Sequence, residues 1–169
     1  VRADRISVGI IWLATAVSLA LAAWSGTWQA WGFVGLPAAL LPSLLVALHP
    51  GAWINRITVA AAYMVLIGVA IHRAGGMAEM HFGIFCLLAF LLVYRDWLPV
   101  LVGAGVTAIH HIGLNALQAG GAGVYLFPEP GWAMVAVHAA FVVFQTSVLV
   151  FLAETARRDA LAGVELDSV

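Results

Sequence analysis

The histidines of this sequence are its main candidates for chemistry, because a neutral imidazole binds transition metals and haem iron. The chain has six of them: His49, His72, His81, His110, His111 and His138. All but the first can be placed in the outer half of a bundle of apolar helices. An ionisable side chain inside a membrane costs free energy and is normally kept there for a purpose. Several at one depth therefore predict a metal or cofactor centre.

Depth along the helices singles out three of these histidines. A rise of about 1.5 Å per residue puts His111 and His138 roughly 10 Å below the outer ends of their helices. His81 lies about one turn below the start of a third helix. Since consecutive antiparallel helices usually pack together, we expect the three imidazoles to meet.

The two adjacent histidines are not equivalent. His111 shares a small, polar helix face with Asn115 and Gln118, at i+4 and i+7. His110 points about 100° away from that face. We therefore expect His111 to be a ligand and His110 to have a supporting or alternative role.

Two kinds of centre fit this pattern. In the first, His81, His111 and His138 bind a copper or zinc ion. In the second, two histidines are axial ligands of haem b, and Arg73 meets the haem propionates at the outer rim. Haem b is our first choice, because it gives redox and gas sensing without an extracellular domain. Further candidate ligands of an ion are His110, Glu79 and Met134. The alternatives for the same histidines are a proton or ion pathway and hydrogen-bonded packing.

Composition indicates the scaffold that must hold these side chains. The chain has 169 residues, of which 64% are hydrophobic and 9% charged, and the apolar residues come in long runs. A soluble domain would carry about 25% charged residues. The pattern predicts an all-α, polytopic membrane protein with six transmembrane helices in one bundle. A net charge of -1 gives no basic patch for nucleic acid.

The six predicted helices run approximately over 6–24, 34–49, 56–72, 77–94, 98–118 and 132–154, the last continuing as a polar helix. Under this topology six of the seven arginines fall on one side, and only Arg73 falls on the other. The positive-inside rule then puts both termini in the cytoplasm. We expect a sensor domain over 1–156 and the start of a cytoplasmic signalling helix or linker over 157–169.

An ordered set of motifs gives a family resemblance. The motifs are Glu79-Met80-His81-Phe82-Gly83-Ile84-Phe85, Tyr94-Arg95-Asp96-Trp97, His110-His111, Gly123-Val124-Tyr125-Leu126-Phe127-Pro128 and His138-Ala139-Ala140-Phe141-Val142-Val143-Phe144. Together they resemble the N-terminal membrane region of some bacterial methyl-accepting chemotaxis proteins and related signalling receptors. Many members of that family have a second histidine where this chain has Gly83. The resemblance implies signal transduction at the bacterial inner membrane.

These observations predict a receptor input module and not an enzyme. The histidine centre would detect redox state, a diatomic gas or a metal, and the last helix would carry the signal. We expect a homodimer formed through that helix, contacts with membrane lipid, and a cytoplasmic signalling domain beyond this chain. The competing class is a small transporter or channel, or a membrane electron-transfer protein, that uses the same histidines.

Overall fold

The computed structural model describes residues 1–26 and 28–167, and these residues form helices and turns without any β-strand. Six helical segments follow one another: α1 (Arg2–Ser25), α2 (Trp28–Leu48), α3 (Trp53–Arg73), α4 (Ala78–Phe90), α5 (Trp97–Ala119) and α6 (Trp132–Asp167). The predicted all-α class is therefore confirmed. The last two residues of the predicted signalling helix lie outside the described residues.

Five of the six segments are long and apolar enough to cross a membrane. The exception is α4, which has 13 α-helical residues and continues as a four-residue 3₁₀ helix, Leu91–Tyr94. A 3₁₀ helix rises about 2.0 Å per residue, so the whole segment reaches about 27 Å. That length is close to the roughly 30 Å thickness of a hydrocarbon core.

The predicted start of the second helix was wrong, because α2 begins at Trp28 and not near residue 34. Its residues Trp31–Gly35 form a π-helical turn, in which the Leu36 N–H donates to the Trp31 carbonyl. Pro37, two residues after this turn, has no N–H, and its ring would clash with the carbonyl four residues earlier in a regular α-helix. The wider turn relieves that clash, and the helix extends back through the turn to Trp28.

The third helix is the centre of the bundle. In α3, 61% of the apolar window is buried, against 17–28% in the other four long helices. It packs against α1, α2, α4 and α5. Tyr63 and Leu66 are among its fully buried large side chains. Two of the helices that carry the candidate ligands, α4 and α5, thus pack on α3, and α6 packs on α4 and α5.

Polar contacts tie the helices together at the end of the bundle where α1 and α3 begin. Arg56 of α3 forms an ion pair with Asp96, at 2.7 Å. Asp96 also caps α5 by accepting from the Leu98 N–H at 3.0 Å. The carboxylate of Asp4, which is buried, accepts from the Gly51 N–H at 2.8 Å. These contacts fix the lengthwise register of the helices, and hence the level of the histidines at the opposite end.

Candidate metal centre

Three imidazoles from three helices meet at the other end of the bundle. The ring centroids of His81 on α4 and His111 on α5 are 5.5 Å apart. The ring of His138 on α6 lies 5.0 Å from that of His81 and 5.8 Å from that of His111. His81 and His111 are buried, and His138 is half-buried. We call these three residues the histidine triad.

Each ring of the triad is oriented by the carbonyl group one helical turn earlier. The Nδ1 atoms of His81, His111 and His138 lie 3.1, 2.9 and 2.9 Å from the carbonyl oxygens of residues 77, 107 and 134. A carbonyl oxygen can only accept, so Nδ1 must carry the proton. In a neutral imidazole Nε2 is then left with a free lone pair. Metal-bound histidines have this same arrangement, in which the other ring nitrogen donates to a carbonyl or carboxylate.

The free lone pairs are not used within the described residues. Nε2 of His81 and Nε2 of His111 are both buried without any hydrogen-bond partner. A buried polar atom without a partner costs about 1–3 kcal/mol. Such atoms are few in native proteins and are typical of sites that bind water, an ion or a ligand. The two atoms lie side by side in one cluster, so together they offer acceptor positions for a ligand.

The spacing of the rings suits a shared ion. Zinc or copper binds imidazole nitrogen at about 2.0–2.1 Å, which would put ring centroids about 5.2–5.6 Å apart in a tetrahedral or trigonal site. The observed separations of 5.0–5.8 Å bracket that range. No group of three His, Cys, Asp or Glu residues in the described chain already has donor atoms arranged for a metal. Ion binding would thus require the rings to turn until their Nε2 atoms converge.

The loop between α5 and α6 covers the triad with Phe127. The Phe127 ring stacks on His81 at 5.4 Å between centroids and lies 4.9 Å from the ring of His138 and 6.0 Å from that of His111. Phe127 is only 4% exposed. It therefore separates the imidazoles from the solution on this side of the bundle.

Side chains of α5 hold the covering loop down. The Gln118 amide accepts from the N–H groups of Leu126 and Phe127 and donates to the Phe127 carbonyl at 2.7 Å. One turn deeper, the Asn115 side chain accepts from the Gly131 N–H at 2.8 Å. The polar face that carries His111 thus also positions the loop over it.

Gly76 allows the loop to approach the start of α4. It has a φ of +77°, and a Cβ atom at this position would lie 2.4 Å from the Phe127 carbonyl carbon. Only glycine avoids both the strain and the clash. Nearby, the Tyr125 N–H donates to Nδ1 of His72 at 3.0 Å, and the two rings stack. His72 therefore anchors the loop.

Of the remaining predicted site residues, only His110 is shown in contact with the triad within the described chain. His110 turns towards α3, where its Nε2 packs against Gly68, while its ring still touches His111 at 5.3 Å between centroids. Arg73 donates to the Ser18 carbonyl on α1 at 3.0 Å. Glu79 and Met134 are exposed, and no contact recorded for the described residues joins either side chain to the triad.

Two parts of the site were missed by sequence reasoning. Phe127 lies in a Gly- and Pro-rich loop, where a lone phenylalanine gives no signal of a covering role. The polar residues of the His111 face were recognised, but their role in holding the loop was not. A loop rich in backbone donors, beside unpaired amide side chains on a helix face, was the available signal.

Comparison of the chain with protein-family models, with curated proteins and with solved structures gives no significant match. The function of the chain is therefore inferred from its residues, their geometry and the sequence motifs.

Proposed function

We propose that this chain is a six-span, metal-binding sensor module of the bacterial inner membrane, with its histidine triad near the outer face. The observation that carries the proposal is the meeting of three carbonyl-oriented imidazoles from α4, α5 and α6. Imidazole ligands suit copper and zinc. Three protein ligands leave a fourth coordination position open, as in sites that exchange a ligand.

The contacts among the rings favour an ion over haem b. A porphyrin between two axial imidazoles would hold their ring centroids more than about 6 Å apart, with a flat macrocycle filling the gap. The three rings of the triad instead touch one another, and Phe127 stacks on His81. Haem b stays a prediction from the sequence, and we place copper or zinc ahead of it.

The sensor role is supported by the way the ligands are distributed. An ion that binds all three imidazoles links α4 and α5 to α6, so its arrival or oxidation would change how these helices are held together. The last of them is a continuous helix from Trp132 to Asp167, about 54 Å long. It extends beyond the thickness of a bilayer, which gives the site a direct mechanical connection to the other side.

Metal analysis of the purified protein tests this function. We expect one copper or zinc ion per chain, and binding at least about tenfold weaker in His111→Ala and His138→Ala, since even indirect partners of a metal contribute that much. His49→Ala is the matched control, because His49 is exposed at the end of α2 and should leave the affinity unchanged. Circular dichroism checks that each variant is folded.

Two results would overturn the ion site. A Soret band lost in His138→Ala would replace the ion with haem. A folded protein that binds neither copper nor zinc at micromolar concentrations would remove the metal function itself.

A further inference from the structure

An apolar groove runs between α5 and α6 and ends at the triad. It has a volume of about 370 Å³. His111 and His138 lie at its outer end, Thr146 and Ser147 lie at its inner end, and alanine, valine and leucine side chains form most of the wall between them. Along the helices these ends are about 12–15 Å apart. A volume this small over such a length leaves room for about one extended hydrocarbon chain.

The outer end of the groove offers hydrogen-bond acceptors, so it would bind a ligand group that donates. Nδ1 of His111 donates to a carbonyl group, so its Nε2 can only accept, and this atom is buried without a partner in a residue that is 4% exposed. His138 has the same Nδ1 contact. A head group that only accepts, such as an ester or a carboxylate, would face two lone pairs. A hydroxyl group can donate to one of them.

Access to this end comes from the lipid and not from the solution. Phe127 covers the triad on the outer side, and its loop is held by Gln118. The groove itself is open along its length between α5 and α6, both of which have exposed apolar side chains there. In a bilayer these side chains contact lipid. The occupant must therefore be soluble in the membrane and carry an uncharged head.

We propose that the groove binds a single-chain, membrane-dissolved alcohol, with the hydroxyl at His111 and His138 and the hydrocarbon chain along α5 and α6. This site does not require the proposed metal, because the hydroxyl uses lone pairs that are free in the metal-free protein. A metal bound by the triad would meet the same hydroxyl through its open coordination position.

Thr146 marks the inner end of the groove. It is 8% exposed, and its hydroxyl has no hydrogen-bond partner. The hydroxyl of Thr107, on the facing helix, instead donates to the carbonyl one turn earlier at 2.9 Å. Thr146 thus offers a second polar contact, and a variant at this position reports on the direction in which a ligand lies.

Photolabelling of the chelator-treated protein with a tetradecanol that carries a diazirine at mid-chain tests the proposal. We expect saturable labelling of groove residues such as Ala104, Ala108 and Ala139. Unlabelled tetradecanol should compete at least about tenfold better than tetradecanoic acid, which has the same chain and a charged head. Moving the diazirine towards the end of the chain should move the label towards Leu101 and Ser147.

Matched variants complete the test. Ala108→Trp should abolish the saturable labelling, because Ala108 lines the groove, whereas Ile109→Trp should not, because Ile109 is 74% exposed and does not line it. Ala139→Trp replaces the first variant if that one does not fold. His138→Leu should weaken labelling at least about tenfold, and Thr146→Val should leave it within about twofold.

Three results would overturn the proposal. Labelling that does not saturate and spreads over every lipid-facing helix would show ordinary annular lipid. Equal competition by the acid would remove the role of the donor. Loss of labelling in Thr146→Val, with His138→Leu unaffected, would put the head at the other end. None of these results depends on metal binding, so they test the alcohol site independently of the proposed metal function.

Discussion

At the scale of single residues, three backbone carbonyls determine what the triad can do. Each accepts from Nδ1 of a histidine one turn later. This leaves a free lone pair on Nε2 of His81, His111 and His138, which can bind a metal or accept a hydrogen bond. A carbonyl oxygen has two lone pairs, so it can accept from Nδ1 of the histidine and from a backbone N–H of the helix at the same time. Each ring thus has its protonation state set by its own helix, with Nε2 left available to a ligand.

Gly68 shows how the neighbouring His110 is kept out of the triad. A Cβ atom at Gly68 would lie 2.7 Å from Nε2 of His110, so the imidazole occupies the space that a side chain would need. Gly68→Ala gains up to about 1 kcal/mol of helix propensity. Overpacking costs about 1–3 kcal/mol, which should outweigh that gain because Nε2 of His110 is buried. We expect a net loss of about 1 kcal/mol in the free energy of unfolding, measured by thermal melting in detergent.

Gly105→Ala is the control for that variant. Gly105 lies in α5 with open space where its Cβ would go, so alanine there should leave stability unchanged or raise it. If the two variants melt alike, His110 is free to move and Gly68 is not required to accommodate it.

Site residues could be predicted from the sequence where their position follows from a pattern within one helix. The depth and helix face of His81, His111 and His138 follow from counting along each helix, and the structure brings these three together. The place of His110 against α3 depends on Gly68, more than forty positions earlier in the chain. No periodic pattern links two such residues, so only the packing of the bundle reveals the contact.

At the scale of elements, the loop between α5 and α6 is fixed by one side chain of α5. Gln118→Leu keeps the volume of the side chain but removes three hydrogen bonds to Leu126 and Phe127. Each typical hydrogen bond contributes about 0.5–1.5 kcal/mol, so we expect a loss of about 2–3 kcal/mol in the stability of the closed loop. Phe127 would then cover the triad less of the time. A water-soluble chelator should remove the ion at least about tenfold faster, measured by stopped-flow absorbance.

Gln29→Leu provides the comparison, because Gln29 is an exposed glutamine of α2. Its chelation rate should match that of the unaltered protein. An unchanged rate in Gln118→Leu would mean that the loop does not control access from the solution.

Helix boundaries could be predicted where apolar runs ended at clear turn signals, and less well where irregular turns intervened. The ends of α3 and α5 fall within a few residues of those expected. The start of α2 was missed because Gly32 and Gly35, which suggest a turn, lie in a π turn that joins Trp28–Ala30 to the rest of the helix. The 3₁₀ extension of α4 was also not visible, since its apolar residues suit either kind of helix. Neither irregular turn is marked by a change in the spacing of apolar residues, so the apolar pattern alone does not reveal it.

At the scale of the whole molecule, the arginines favour one orientation of the proposed six-span bundle. Six of the seven fall at the end opposite the triad under that topology, and the positive-inside rule places such an end in the cytoplasm. In a Cys86→Ala background, a membrane-impermeant maleimide should label Ala122→Cys from outside the cell and should not label Ala162→Cys. Both positions are exposed, so accessibility of the side chain is matched.

The reverse labelling pattern would put the triad near the inner face. Labelling of both positions in intact cells, or of neither before lysis, would be inconsistent with six spans.

The last helix is the element that would carry a signal from the triad to the cytoplasm. It holds His138 near one end, and further along Glu154 pairs with Arg157 and Arg158 at 3.0 Å each. In a receptor that carries this chain together with its output domain, one residue inserted after Ala160 should rotate all that follows by about 100°. We expect a changed basal output with metal affinity unaltered, because the insertion lies about 33 Å from His138.

Seven inserted residues add nearly two full turns and should restore the output, so this insertion is the control that keeps the rotation nearly unchanged. Equal output from both insertions at equal expression would show that rotation of α6 is not what the receptor transmits.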